Sequence, residues 1–175
     1  MALANVPPKL DVVAGVAAIE EDIPRVLSLI GASSLEELGW SRPNPLSLLI
    51  PLLGIHEGKK DDYLLRLGFQ AYRQWPPSAQ FVNPETLAYR YPDDQQHVPK
   101  LTSPECTTHV AYRRNQGGLP IQLVCCSATL EFYDVLHNVD SQLVWRGEET
   151  FYTTIQAIQK AFGSAYKGRF EANGN

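Results

Sequence analysis

The 175-residue sequence predicts a single domain, residues 1–175, of the α+β class. Apolar residues recur at helical spacing near each end of the chain, and a stretch between them alternates as strands do. With 44% hydrophobic and 19% charged residues, the composition is typical of a chain that buries one sizeable core. Helices at both ends and strands in the middle indicate antiparallel strands with helices packed against them.

The N-terminal segment, residues 1–31, is predicted to be helical. In VVAGVAAIEEDIPRVLSLIG, residues 12–31, apolar residues recur every three or four positions at Val16, Ile19, Ile23, Val26, Leu27 and Ile30. Pro24 marks a helix start or a kink, and Gly31 is a helix stop. The segment therefore forms one or two helices.

Two strands are predicted in the first half of the chain. The apolar run NPLSLLIPLLGI, residues 44–55, has Pro51 inside it, which favours an edge strand because proline lacks the N–H that a ladder needs. In YLLRLGFQAY, residues 63–72, Leu65, Leu67 and Phe69 recur with a period of two. The second run therefore reads as a strand with one buried face.

Prolines organise the middle of the chain. Pro76 and Pro77 predict an extended segment before a short strand, AQFV, at residues 79–82. Residues 87–114 carry three more prolines and little periodicity, so we expect a long ordered loop. The strands then form a four-stranded antiparallel sheet between about Leu35 and Val124.

A second amphipathic helix is predicted over residues 150–162. Its apolar residues, spaced by four, three and four positions, are Phe151, Ile155, Ile158 and Phe162. Gly163 is the expected C-terminal signal. Residues 163–175 are then a flexible tail.

Charge and cysteine content narrow the function classes. The formal net charge of −4 gives no basic footprint, so we expect no nucleic acid partner. No apolar run approaches the roughly 20 residues of a membrane span, and the start lacks the features of a signal peptide. We therefore expect a cytoplasmic protein with no membrane partner, whose three cysteines are free thiols.

The stretch LPIQLVCCSATLEFYDVLH, residues 119–137, carries the candidate chemistry. An apolar run ends at Cys125 and Cys126, and the chain then turns polar. A reactive cysteine sits where a strand ends and becomes accessible, whereas a structural one lies inside the apolar run. Strict alternation places Cys125 with Leu123 on one face and Cys126 with the polar Gln122 on the other, which favours Cys126 as the exposed thiol.

From about residue 45 to residue 162, this order resembles ubiquitin-conjugating (E2) enzymes, specifically divergent bacterial E2-like proteins encoded beside ubiquitin-like modifiers and E1-like enzymes. YLLRLGFQAYRQWPPSAQFVNP is similar to the family's strand, Pro-Pro pair and following strand. LVCC stands where the family has an apolar pair and the catalytic cysteine, and the later Trp145 and helix also fit. Positions similar to the bacterial Gly-Thr-x-Glu-aromatic-His segment are held by Thr129, Glu131, Phe132, Tyr133 and His137. The family's His-Pro-Asn tripeptide is absent.

The resemblance implies a UBC-like fold, with a four-stranded antiparallel sheet and flanking N-terminal and C-terminal helices. It implies a cofactor-free enzyme that accepts a ubiquitin-like protein from an E1-like activating enzyme as a cysteine thioester and passes it to a target protein. The E1-like enzyme would bind the N-terminal helix and adjoining strands, and the modifier's tail would lie by the cysteine. Bacterial antiviral defence is the setting implied by analogy.

The resemblance also implies roles for four residues. Counting from Cys125 places Thr129 and Glu131 in family register, so Cys125 is the preferred nucleophile and Cys126 the alternative. Asn115, just upstream, is the nearest candidate for a donor that stabilises the tetrahedral oxyanion, although a residue so close to two glycines is first of all a turn residue. His137 is first a surface or capping histidine, and as the alternative it is a candidate for orienting the loop or relaying a proton.

Three other functions fit parts of the sequence. A catalytically inactive E2 variant would bind a ubiquitin-like partner without forming a thioester. A zinc module would use Cys106 and His109, which have C-x-x-H spacing, with Cys125 or Cys126 and His137. A Cys-His hydrolase would pair Cys125 with His137.

Overall fold

The computed structural model describes residues 9–135 and 145–173, and these form an α+β fold. The helices are α1 (Val12–Ile30), α2 (Leu130–Asp134) and α3 (Tyr152–Ala165). The strands are β1 (Ser41–Asn44), β2 (Ser47–His56), β3 (Lys59–Gly68), β4 (Ser78–Val82), β5 (Pro99–Leu101), β6 (Cys106–Tyr112), β7 (Ile121–Cys126) and β8 (Tyr166–Arg169).

The predicted four-stranded antiparallel sheet is confirmed, with different bounds. Strands β1 to β4 pair in chain order, so the sheet spans Ser41 to Val82. The apolar run that ends near Val124 is β7, and it pairs with β6 in a separate hairpin. Strands β5 and β8 form a third antiparallel pair. Among residues 9–135 and 145–173, none of the helices combines the length and apolar composition that crossing a membrane requires.

Helix α1 is one continuous helix that includes Pro24. The Asp11 side chain accepts from the Ala14 N–H at its start, and Gly31 ends it with φ = 82°, as the predicted stop requires. The buried carboxylate of Asp22 receives two hydrogen bonds from Arg73, at 2.7 and 3.1 Å. This ion pair ties α1 to the segment after β3.

Strand β2 lies inside the sheet, so the expectation of an edge strand was wrong for the strand as a whole. Its pairing with β1 stops at Leu49, however, and Pro51 lies beyond that point. The two-residue turn between β2 and β3 has positive φ at both central residues, which makes the flanking His56 and Lys59 a hydrogen-bonded pair. Hydrogen-bonded and non-hydrogen-bonded pairs alternate along the ladder, so Pro51 and Leu64, five pairs from His56 and Lys59, form a non-hydrogen-bonded pair. The Pro51 nitrogen therefore faces away from β3, and its missing N–H removes no hydrogen bond of the ladder.

The region expected to be a long loop, residues 87–114, contains β5 and β6, so that prediction was wrong. Strand β5 has three residues, too few for a periodic pattern. Strand β6 is CTTHVAY, in which the buried positions are held by Cys106 and the polar Thr108, so it shows no apolar alternation. Their partners, β8 and β7, come later in the chain and are not part of the local pattern.

The C-terminal tail also differs from the expectation. Helix α3 runs past Gly163 to Ala165, and the next four residues form β8. Tyr166 is buried, and its hydroxyl lies 2.6 Å from the Tyr63 hydroxyl and donates to Asp61 at 2.7 Å. These contacts fasten residues 166–169 to β3, where a flexible tail was expected.

The main core lies between α3 and the sheet. Phe151, Ile155 and Ile158 are fully buried, as the helical spacing predicts. The ring of Phe162 packs against Tyr63 of β3 and Phe81 of β4. Trp145 is buried beside this core and donates from Nε1 to the Arg73 carbonyl at 2.9 Å. The core therefore holds β4 in place. The cysteine loop, residues 127–129 between β7 and α2, is followed by Leu130, which hydrogen-bonds to the segment just before that strand.

Candidate functional site

The three cysteines lie together at one end of the β6–β7 hairpin. Cys106 faces Cys126 across the strand pair, and Thr107 faces Cys125. None of the three is in a disulfide. Cys106 and Cys126 are 0% and 2% exposed, whereas Cys125 is only half-buried. Cys125 is therefore the thiol that a partner protein can reach.

Burial along β7 does not alternate as expected, because Leu123 on the Cys125 face is 2% exposed and its neighbours on the other face are buried as well. Val124 and Cys126 lie in the core together with Gln122. The Gln122 amide accepts from the Phe81 N–H at 2.6 Å and donates to the Phe81 carbonyl at 2.8 Å, so it completes the hydrogen bonding of β4. A buried polar side chain with both partners satisfied is stable in a core. The exposure of Cys125 agrees with its preference over Cys126, and its catalytic role stays a prediction.

The loop after the cysteines is held by hydrogen bonds to its carbonyl groups. The Thr129 hydroxyl lies 2.8 Å from the carbonyl oxygens of both Val124 and Cys126. Tyr133 donates to the Ser127 carbonyl at 2.8 Å, and Thr154 of α3 donates to the next carbonyl along the chain at 2.7 Å. Side chains that bond successive carbonyls restrict the backbone, so Cys125 lies beside a preorganised segment.

Helix α2, which sequence reasoning missed, attaches this loop to the Pro-Pro segment. The Leu130 N–H donates to the Pro77 carbonyl at 3.0 Å, and the Ala79 N–H donates to the Glu131 carboxylate at 3.0 Å. Burial raises the pKa of Glu131, partly offset by hydrogen bonds from Ser78 and Ala79. These contacts couple the position of the cysteine loop to the start of β4, which follows the two prolines.

The pKa values of the two adjacent thiols, Cys125 and Cys126, are shifted in opposite directions. Burial raises the pKa of Cys125, and the nearby Cys126 raises it further. A hydrogen bond from the Cys106 thiol lowers the pKa of Cys126 against the effect of burial, and the Ala128 N–H lowers it as well. At neutral pH Cys125 is therefore mainly a neutral thiol.

The structure does not bring Asn115 to the cysteines. Asn115 is exposed in the loop that joins β6 to β7, where its carbonyl accepts from the Gly118 N–H at 3.1 Å. Cys125 lies four residues beyond the start of β7 at Ile121, which is about 13 Å along a strand. Asn115 is thus a turn residue in this structure and not an oxyanion donor to Cys125. His137 lies outside the described residues.

The positions of Cys106 and His109 do not support the zinc-binding alternative. Cys106 is in the core, whereas His109, three positions along the same strand, is exposed. An odd separation places two strand residues on opposite faces. Over residues 9–135 and 145–173, no three His, Cys, Asp or Glu side chains are grouped to hold a metal ion.

Comparison with known proteins finds no relative: no family model, no curated protein and no solved structure matches the chain. The cysteine site and the resemblance in the sequence are therefore the basis for a function.

Proposed function

We propose that this protein is an E2-like conjugating enzyme of UBC-like fold that carries a ubiquitin-like modifier as a thioester on Cys125. The observation that carries the proposal is the position of Cys125. It is the accessible one of three clustered thiols, and it lies near the end of a strand, just before a loop whose carbonyls are bonded by side chains. An acyl carrier needs such an accessible and positioned sulfur.

The proposed reaction has two acyl transfers. The Cys125 sulfur attacks the thioester carbonyl on the E1-like enzyme, a new C–S bond forms, and the E1 thiol leaves with the proton that Cys125 gives up. An amine of the target protein then attacks the Cys125 thioester, and Cys125 leaves as a thiol while the amide forms. Neither transfer requires a cofactor.

The half-buried setting of Cys125 suits the loaded state. Burial raises the pKa of Cys125 because it disfavours the charged thiolate. A thioester carries no charge at sulfur, so the same burial does not oppose it. The site therefore accommodates the acylated cysteine without the desolvation penalty that a thiolate has.

The partners follow from the resemblance. The E1-like enzyme would contact the outer face of α1, where Val13 and Leu29 are 80% and 70% exposed. The modifier's tail would lie along the surface at Cys125, and a target protein would supply the amine. Bacterial antiviral defence, in the cytoplasm, is the setting proposed by analogy.

The test is thioester formation. The protein is incubated with bacterial E1-like enzymes, each with its ubiquitin-like modifier and ATP, and its intact mass is measured with and without reductant. We expect an adduct of one modifier that reductant removes, that Cys125→Ala abolishes and that Cys126→Ala largely retains. Loss of the adduct only in Cys126→Ala would move the nucleophile to Cys126, and a folded protein that no pair charges would refute the proposal.

The raised pKa of Cys125 also favours a second candidate, an inactive E2-like module that binds a ubiquitin-like protein without thioester chemistry. Size-exclusion chromatography distinguishes the two. The inactive module would form a complex with the modifier that needs neither ATP nor Cys125, and Cys125→Ala would leave that complex unchanged.

A further inference from the structure

Cys106 and Cys126 have the geometry of a disulfide-forming pair. They are direct partners on the antiparallel strands β6 and β7. Such partners have Cα atoms about 4.5 to 5.5 Å apart, inside the range of about 4.4 to 6.8 Å that disulfides occupy. The two thiols also interact, since hydrogen bonding with Cys106 is the main cause that lowers the pKa of Cys126.

We propose that Cys106 and Cys126 form an oxidisable thiol pair, which a small peroxide converts into a disulfide between β6 and β7. The pair is independent of the acyl-carrier proposal, because Cys125 faces Thr107 and not Cys106. It gives the second of the twin cysteines a chemical role. Packing alone would need no sulfur partner across the strand pair.

The chemistry begins at Cys126. Its sulfur accepts hydrogen bonds from the Cys106 thiol and the Ala128 N–H, which stabilise the thiolate that reacts. The thiolate attacks one oxygen of hydrogen peroxide, the O–O bond breaks, and the departing hydroxide takes up a proton to leave as water. Cys126 is then a sulfenic acid.

Cys106 completes the reaction. Its sulfur attacks the sulfur of the Cys126 sulfenic acid, the S–O bond breaks, and a second water leaves with the Cys106 proton. Two thiols have been oxidised by two electrons, and one peroxide has been reduced to two waters. Because the two residues already pair in the ladder, the disulfide forms without a change of strand register.

Burial makes the pair selective for small oxidants. Cys106 and Cys126 are 0% and 2% exposed, so a bulky maleimide is excluded from both in the folded protein. Hydrogen peroxide is little larger than water, so a small local opening of the structure is enough to admit it. We therefore expect maleimide to modify Cys125 and peroxide to oxidise the buried pair.

The experiment uses the Cys125→Ser variant, so that Cys106 and Cys126 are the only thiols. The folded variant is treated with hydrogen peroxide, quenched with catalase, unfolded and alkylated with N-ethylmaleimide. We expect an intact mass lower by two hydrogen atoms, no alkylation, and a peptide that links Cys106 to Cys126. Dithiothreitol should restore two alkylatable thiols.

Two comparisons make the test decisive. Adding Cys106→Ala to the Cys125→Ser background should replace the disulfide with added oxygen on Cys126. Oxidation in urea should be slower than in the folded protein, because only the fold holds the two sulfurs together. The proposal would be overturned by a disulfide that forms faster in urea than in the folded protein. It would also be overturned if peroxide left both thiols of the folded variant alkylatable, or only added oxygen to them.

Discussion

Replacing Gln122 with alanine should destabilise the protein far more than a polar strand residue normally does. The Gln122 amide bonds both the N–H and the carbonyl of Phe81, at 2.6 and 2.8 Å, in a buried site between β7 and β4. Alanine leaves both backbone groups without that partner. It also removes the link between the strand that carries Cys125 and the four-stranded sheet.

The magnitude follows from the two bonds. Each buried polar group left unsatisfied costs about 1 to 3 kcal/mol, so the loss of two partners in Gln122→Ala should lower the free energy of unfolding by about 2 to 6 kcal/mol. With a urea m-value of about 2 kcal/mol/M, the unfolding midpoint should fall by about 1 to 3 M. Gln122→Glu keeps an acceptor for the Phe81 N–H but loses the donor, and it should also lower stability.

Urea unfolding followed by tryptophan fluorescence measures this effect. Gln156→Ala is the matched control, because Gln156 is exposed on α3, and its change should stay within about 0.5 kcal/mol. A loss below about 1 kcal/mol for Gln122→Ala, with an unchanged m-value, would show that the amide does not complete the hydrogen bonding of β4.

Three further predictions concern the site and its supports. Thr129→Val removes the hydroxyl that bonds the Val124 and Cys126 carbonyls, and it should lower the free energy of unfolding by about 1 to 3 kcal/mol. Thr129→Ser keeps the hydroxyl and should lower the free energy of unfolding by less. Equal losses for the two variants in urea unfolding would contradict the role of the hydroxyl. Burial raises the pKa of Glu131, so between the unfolded pKa of 4.5 and the folded pKa the native state binds more protons than the unfolded state. The free energy of unfolding of the wild type should therefore fall, relative to that of Glu131→Gln, as the pH rises through this range. Parallel plots of stability against pH for the two proteins would refute this. Leu29→Lys, on the exposed face of α1, should reduce charging by an E1-like enzyme while urea unfolding stays within about 0.5 kcal/mol of wild type; unchanged charging would place the E1 contact elsewhere.

Local patterns in the sequence were enough to predict the main helices and the best-formed strands. The spacing of Ile19 and Val26 predicts α1, and Gly31 ends it with the left-handed backbone that glycine favours. Leu65 and Leu67 alternate in β3 and are fully buried. These elements follow from local sequence because their periodicity matches the geometry of a helix or a strand with one buried face.

The position of the twin cysteines also followed from the sequence, as the end of an apolar strand, but which of them is exposed did not. Gln122 is polar, so alternation alone assigned its face to solvent and exposed Cys126 with it. In the structure that face is buried, because Phe81, on a strand 41 positions away in sequence, supplies both hydrogen-bond partners of the Gln122 amide. A local pattern contains no information about such a partner.

The tertiary structure alone decided the pairings between distant segments. Strand β8 exists because residues 166–169 meet β5 and because Tyr166 reaches Asp61, which lies 105 positions earlier. Cys106 faces Cys126 because β6 and β7 keep one register from Cys106 to His109, and a one-residue slip there would separate the two sulfurs. The sequence by itself determined where the chain can form helices, strands and turns. Non-local packing determined the contacts that bury Gln122, order the C-terminal residues and bring two thiols together, and local propensity does not encode such packing.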